Sequence, residues 1–200
     1  MIMTLEEYYV QRYQRIEREF LDKTSTYLDE NSDKISDYLI NNMTEILKYA
    51  ANVQKEQNIS CGYISFSLLL TSVILNKPML QIDFYSGEWV YGEPWSRERI
   101  DADFLFEYWE NLKNAAFDDE YFMRSRITSA MIKTFFYDTL DELIYVFANY
   151  LKKYGKNLAK IPEFSKIKLE TPAYITVGAY LDWQERIIAV KNDETGMVLA

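Results

Sequence analysis

Tyr63-Ile64-Ser65-Phe66-Ser67-Leu68-Leu69-Leu70 places apolar side chains at its even positions and serines at two of its odd ones. A period of two belongs to a strand with one buried face. Asn76-Lys77-Pro78 supplies a turn. Met79 to Tyr85 alternates again, Leu80, Ile82 and Phe84 against Gln81 and Asp83. Ser86-Gly87-Glu88 turns back, and Trp89-Val90-Tyr91 reads as a short third strand before Gly92-Glu93-Pro94. Connections this short exclude parallel crossovers, so residues 63–91 predict an antiparallel meander.

Helical patterns flank it. Thr4-Leu5-Glu6-Glu7 has the form of a capping box, followed by Tyr9, Tyr13, Ile16, Phe20 and Tyr27 near the helical period. Asn31-Ser32-Asp33 starts a second helix with Ile35, Leu39, Ile46, Ala50 and Val53 on one stripe and Met43 beside it. The short connection predicts an antiparallel helical hairpin over residues 1–57. After the meander, Asp101 or Asp103 caps a helix through about Leu112. Asp118-Asp119-Glu120 opens a longer one carrying Phe122, Ile127, Met131, Phe135, Leu143, Phe147 and Leu151, with a break expected near Tyr137–Thr139. Lys152-Lys153 and Gly155 close residues 101–155 with the polarity of a helix C-terminus. Tyr174 to Leu181 and Ile187 to Val190, within residues 174–190, return to the sheet. The expected fold is a single α+β domain: two N-terminal helices, an antiparallel β-meander, a long helical stretch and one or two C-terminal strands.

Composition removes whole classes of chemistry. The 200 residues contain no His and one Cys. That excludes imidazole bases, His-ligated metals, intrachain disulfides and Cys clusters. Gly62, Gly87, Gly92, Gly155, Gly178 and Gly196 are all isolated, so no phosphate-loop or dinucleotide fingerprint can be written. Ser nucleophiles lack an elbow motif. The longest apolar run, Leu68-Leu69-Leu70, is far below the roughly 20 residues of a membrane span, and the acidic start offers no secretory segment. A lone Cys61 without a basic neighbour fits an inert thiol in a reducing cytoplasm.

The net charge is −9. Residues 1–62 carry 7 basic and 11 acidic groups, residues 63–123 carry 4 and 11, and residues 124–200 carry 11 and 9. An acidic chain repels phosphate backbones, which disfavours nucleic acid and favours a basic partner protein. The basic run Lys152, Lys153, Lys156, Lys160, Lys166 and Lys168 reads as a helix C-terminus and its solvated exit.

Two constellations compete as sites. Asp103, Glu107 and Glu110 stand at i, i+4 and i+7, a spacing that on one helix face could hold a divalent metal with carboxylates alone; it also describes an ordinary solvated face. Asp138, Asp141 and Glu142 form a second such cluster. The segment around Tyr85, Glu88, Trp89, Tyr91, Glu93 and Trp95, with Asp101 and Asp103 beside it, combines the acidic third of the chain with hot-spot aromatics. An aromatic edge strand there also invites a homodimer.

Ile64-Ser65-Phe66-Ser67, Ile82-Asp83-Phe84-Tyr85 and Gly178-Ala179-Tyr180-Leu181-Asp182 together resemble a pattern in uncharacterised cytoplasmic proteins of Gram-positive anaerobes, over about residues 60–185. The resemblance implies no site and no chemistry. The expected function is a non-enzymatic, cofactor-free protein-binding protein of the inhibitor, immunity or accessory-factor kind, engaging a basic protein through the acidic aromatic segment. The alternatives are a carboxylate-only metal-dependent enzyme and a structural subunit of a homo-oligomer.

Overall fold

A computed structural model describes residues 3–87, 92–117, 127–193 and 196–199. The chain starts as expected. The Thr4 hydroxyl accepts from the Glu7 N–H, and the Glu7 carboxylate accepts from the Thr4 N–H at 2.7 Å. Helix α1 (Leu5–Tyr8) runs through a π-turn at Tyr9–Tyr13 into α2 (Gln14–Glu30). The π-turn inserts an extra residue, so Tyr8 and Tyr13, five apart, both point inward. A strict helical period misses Tyr8, yet its ring is fully buried and its hydroxyl donates to the Ala116 carbonyl at 2.9 Å.

The helical hairpin is not what forms. Helix α3 (Ser32–Gln57) follows α2 after one residue, Asn31. The Asn31 N–H still donates to the Tyr27 carbonyl, and its own carbonyl accepts from the Ile35 N–H. Helical hydrogen bonds that continue across the joint produce a bend, not a reversal. Helix α2 therefore lies against the later helices, while α3 passes beneath the third strand and the turns at Gly155–Lys166. Asn58, at φ 50°, ends α3 in the left-handed conformation.

The sheet has six strands: β1 (Cys61–Leu68), β2 (Met79–Tyr85), β3 (Ser96–Asp101), β4 (Leu169–Ala179), β5 (Gln184–Asp193) and β6 (Gly196–Leu199). Their order is β3-β2-β1-β4-β5-β6, with β1 and β4 parallel and every other pair antiparallel. The meander is present, and the C-terminal strands return to its β1 edge. Its third strand is β3. The expected strand at Trp89–Tyr91 lies outside the described residues, and Ser96-Arg97-Glu98-Arg99-Ile100-Asp101, with its four charges, occupies the position beside β2. Among the described residues β3 is a sheet edge, where charges discourage further pairing. Helix α4 (Leu70–Ile74) ends the Leu68-Leu69-Leu70 run that read as continued strand.

The helix expected from Asp101 or Asp103 to Leu112 is also different. Asp101 ends β3, Asp103 opens a 3-10 turn, Asp103–Leu105, and α5 (Trp109–Phe117) begins later. Three backbone conformations thus separate Asp103, Glu107 and Glu110, which share no helix face. Helix α6 (Ser129–Tyr154) is capped by Thr128 and runs unbroken through Tyr137–Thr139; residues Asp118–Glu120 and Phe122 lie outside the described residues. Gly155 leaves it in right-handed geometry and tightens into a 3-10 turn.

The helical layer covers one face of the sheet with a continuous apolar core. Ile64, Phe66, Leu80, Ile82, Phe84, Ile175 and Val177 reach it from the strands, and Leu47, Leu140 and Phe147 from the helices. No helix among the described residues is long and apolar enough to cross a membrane.

Candidate functional site

The other face of the sheet is polar and yet largely closed to water at its centre. Strand alternation sends Ser65, Ser67, Gln81, Asp83 and Thr176 away from the helices, and all five are buried. Buried polar groups need partners. Asp83, opposite Ser65 on one side and Arg97 on the other, is fully buried. Its Oδ1 accepts from Arg97 Nε at 2.8 Å; its Oδ2 accepts from Gln81 Nε2 at 2.9 Å and from the Tyr85 hydroxyl at 3.3 Å. Burial, followed by the Asp83 charge, pushes the Tyr85 phenol well above its ordinary pKa. The same carboxylate raises that of Arg97.

A second network joins the middle strands. The Thr176 hydroxyl lies 2.8 Å from Ser65 Oγ and 2.9 Å from Gln184 Oε1. It carries one proton, which it donates to either of these two acceptors. Gln184 Nε2 then donates to Ser67 Oγ at 2.8 Å and to the Ala179 carbonyl at 3.4 Å. The floor is rigid because each group is held by another.

Over this floor lies a pocket of about 240 Å³, lined by Ser65, Ser67, Tyr85, Tyr180, Asp182 and Gln184 among others. The β4–β5 turn forms one wall. A Cβ at Gly178 would sit 1.9 Å from the Trp183 carbonyl oxygen, so only glycine lets the two strands approach this closely. Leu181 holds a φ of 60°, a conformation leucine rarely adopts, and leaves 84% of its surface in solvent. Trp183 anchors the turn to α6: its ring stacks on Tyr145 at 4.6 Å, and its Nε1 donates to Asp141 at 3.4 Å. Tyr180 leans back under the Arg97 guanidinium, 5.6 Å from its ring centre. Further along, Arg186 lies over Tyr174 at 4.4 Å and donates to the Tyr63 hydroxyl.

Beside the pocket the Arg97 charge is matched by Asp83. Asp182, exposed on the turn, forms no ion pair with any described residue and lines the pocket together with Tyr85 and Tyr180. Ser65 Oγ is held by the Thr176 hydroxyl and Ser67 Oγ by the Gln184 amide.

The aromatic segment is only partly assembled here. Tyr85 is a pocket wall. Glu93 is exposed. Trp95 is half-buried against Phe84, ring centres 5.3 Å apart, and its Nε1 is buried without a hydrogen-bond partner among the described residues. Glu88, Trp89 and Tyr91 lie outside the described residues. Asp101 and Asp103 are at the far end of β3, roughly 20 Å from Trp95 at about 3.3 Å per strand residue. Among the described residues no three carboxylate or thiol side chains converge as a metal site. Cys61 is buried, which raises its thiol pKa and leaves it unreactive. The lysine run is partly spent on structure, with Lys152 on Glu185, Lys153 on Asp29 and Lys166 near Glu163.

The pocket's own residues come from the outward, polar positions of each strand, which read as a solvated face. Their signal is subtle: short hydroxyls at Ser65, Ser67 and Thr176 where a solvated strand would carry longer, charged side chains. The three segments Ile64–Ser67, Ile82–Tyr85 and Gly178–Asp182 all contribute to this one face. The chain matches no family model, no curated protein and no solved structure.

Proposed function

We propose that the chain is a non-enzymatic protein-binding protein of the inhibitor, immunity or accessory-factor kind, and that its partner docks on the polar face of the sheet. The observation that carries this reading is the β4–β5 turn: Leu181 is held at positive φ and exposed at the rim of a pocket with a rigid floor. Backbone strain persists where surrounding structure enforces it, and it clusters at functional sites. Leu181 supplies an apolar contact, and Tyr85 and Tyr180 supply rings of the kind that dominate hot spots. Asp182 and those rings suit a lysine or arginine side chain, and the net charge of −9 steers a basic protein toward the molecule. The free, buried Cys61 accords with a reducing compartment, and we place the protein in the cytoplasm.

The reading is tested by quantitative affinity capture with the wild-type chain, Leu181→Asp, Asp182→Asn and a distant control, Asp103→Asn. The expected result is a basic protein retained by wild type and by Asp103→Asn, and reduced at least tenfold by both turn variants at unchanged melting temperature. Identical retention by all four proteins would refute it.

A further inference from the structure

The helical layer holds a second cavity, about 270 Å³, between α4, α5 and α6, and it shares no residue with the sheet-face pocket. Its interior is hydrocarbon and aromatic: Val73, Trp109, Phe136 and Leu140 are all buried side chains that line it. Ile74, at its edge, leaves 60% of its surface in solvent. Two ammonium groups line the same space. Lys133 is exposed and forms no ion pair with any described residue. Lys113 is paired with Glu110 one turn earlier on the same helix; the Lys113 side chain is 25% exposed and the Glu110 side chain 70%.

An apolar cleft bordered by two cations selects one class of small molecule. A neutral apolar ligand would leave the ammonium groups unused, and a strongly hydrated anion would leave the aromatic walls unused. We propose that this cavity binds a small amphipathic monocarboxylic acid, its tail against Trp109 and Phe136 and its carboxylate between Lys113 and Lys133. The cavity lies just below the usual range for drug-sized ligands, which limits the acid to a short acyl or single-ring tail. Charge pairing at the entrance fixes orientation, and burial of the tail supplies affinity.

Octanoate and its uncharged counterpart 1-octanol separate the two contributions. Calorimetric titration of the full chain should show octanoate binding at least tenfold more tightly than 1-octanol. The Lys113→Met/Lys133→Met variant keeps the apolar stems, so it should bring octanoate down to the affinity of 1-octanol and leave 1-octanol unchanged. The proposal is overturned if octanoate does not bind, if it binds no more tightly than the alcohol, or if its advantage survives loss of both lysines. None of these outcomes depends on what occupies the sheet face.

Discussion

Removing the Arg97 guanidinium strands a carboxylate that water cannot reach. Arg97→Met retains an unbranched apolar stem and deletes the charge, its donors and the guanidinium that lies over Tyr180. Breaking a buried ion pair from one side costs about 3–5 kcal/mol. Two features lower that figure here. The Arg97 side chain is 38% exposed, so part of the interaction is already screened, and Gln81 and Tyr85 continue to donate to Asp83. The expected loss is about 2 kcal/mol, which for a chain of this size lowers the melting temperature by about 4–8 °C. Differential scanning calorimetry at neutral pH gives the shift, and urea titration gives the free energy. Adding Asp83→Asn to Arg97→Met should recover part of the loss, because a neutral amide in the same position no longer demands a counter-charge. A shift below about 1 °C for Arg97→Met, or a double variant weaker than the single one, would refute the account of Asp83 as a desolvated charge held by its neighbours.

The capping box makes stability pH-dependent with a definite sign. The Thr4 N–H and hydroxyl hold the Glu7 carboxyl below its ordinary pKa, so its contribution is present above the unfolded-state value and is lost as pH falls through the lower folded one. Wild type should melt above Glu7→Gln at neutral pH, and the gap should close below about pH 4; a constant gap would contradict this. Gly178→Ala should destabilise by about 2–3 kcal/mol and disorder the Gln184 contacts, because its methyl group would displace the Trp183 carbonyl. An unchanged urea midpoint would show that the β4–β5 turn yields easily.

Period and punctuation were enough to place β1, β2, β4, β5 and the three long helices, because each carries a sustained apolar stripe. The failures have local physical causes. Ser96–Asp101 hides a strand because only Ser96 and Ile100 are buried, and its charges satisfy the needs of an edge rather than of a core. The joint at Asn31 carries turn chemistry, but backbone hydrogen bonds on both sides keep the chain turning as a helix. Tyr8 is invisible to a period of 3.6 because the π-turn resets the register. The pocket was legible only as its parts: Ser65, Ser67 and Asp83 were visible as outward strand positions, whereas their proximity to Thr176, Tyr180 and Gln184 depends on a pairing between segments more than a hundred positions apart.

That pairing sets the order in which the molecule can assemble. Thr176 meets Ser65 across 111 positions of sequence, whereas β1, β2 and β3 join through short local loops. Closing long loops delays folding, so the meander has every reason to form first and β4 to join it later. On a ribosome adding about 5–20 residues per second, the β1 edge waits roughly 5–20 seconds for its parallel neighbour. Through that interval the apolar side of β1, with Ile64, Phe66 and Leu68, stands beside unpaired backbone amides and carbonyls, the arrangement most prone to join a second nascent chain. The yield of native protein should therefore depend on what shields that edge during synthesis more than on the stability of the finished sheet.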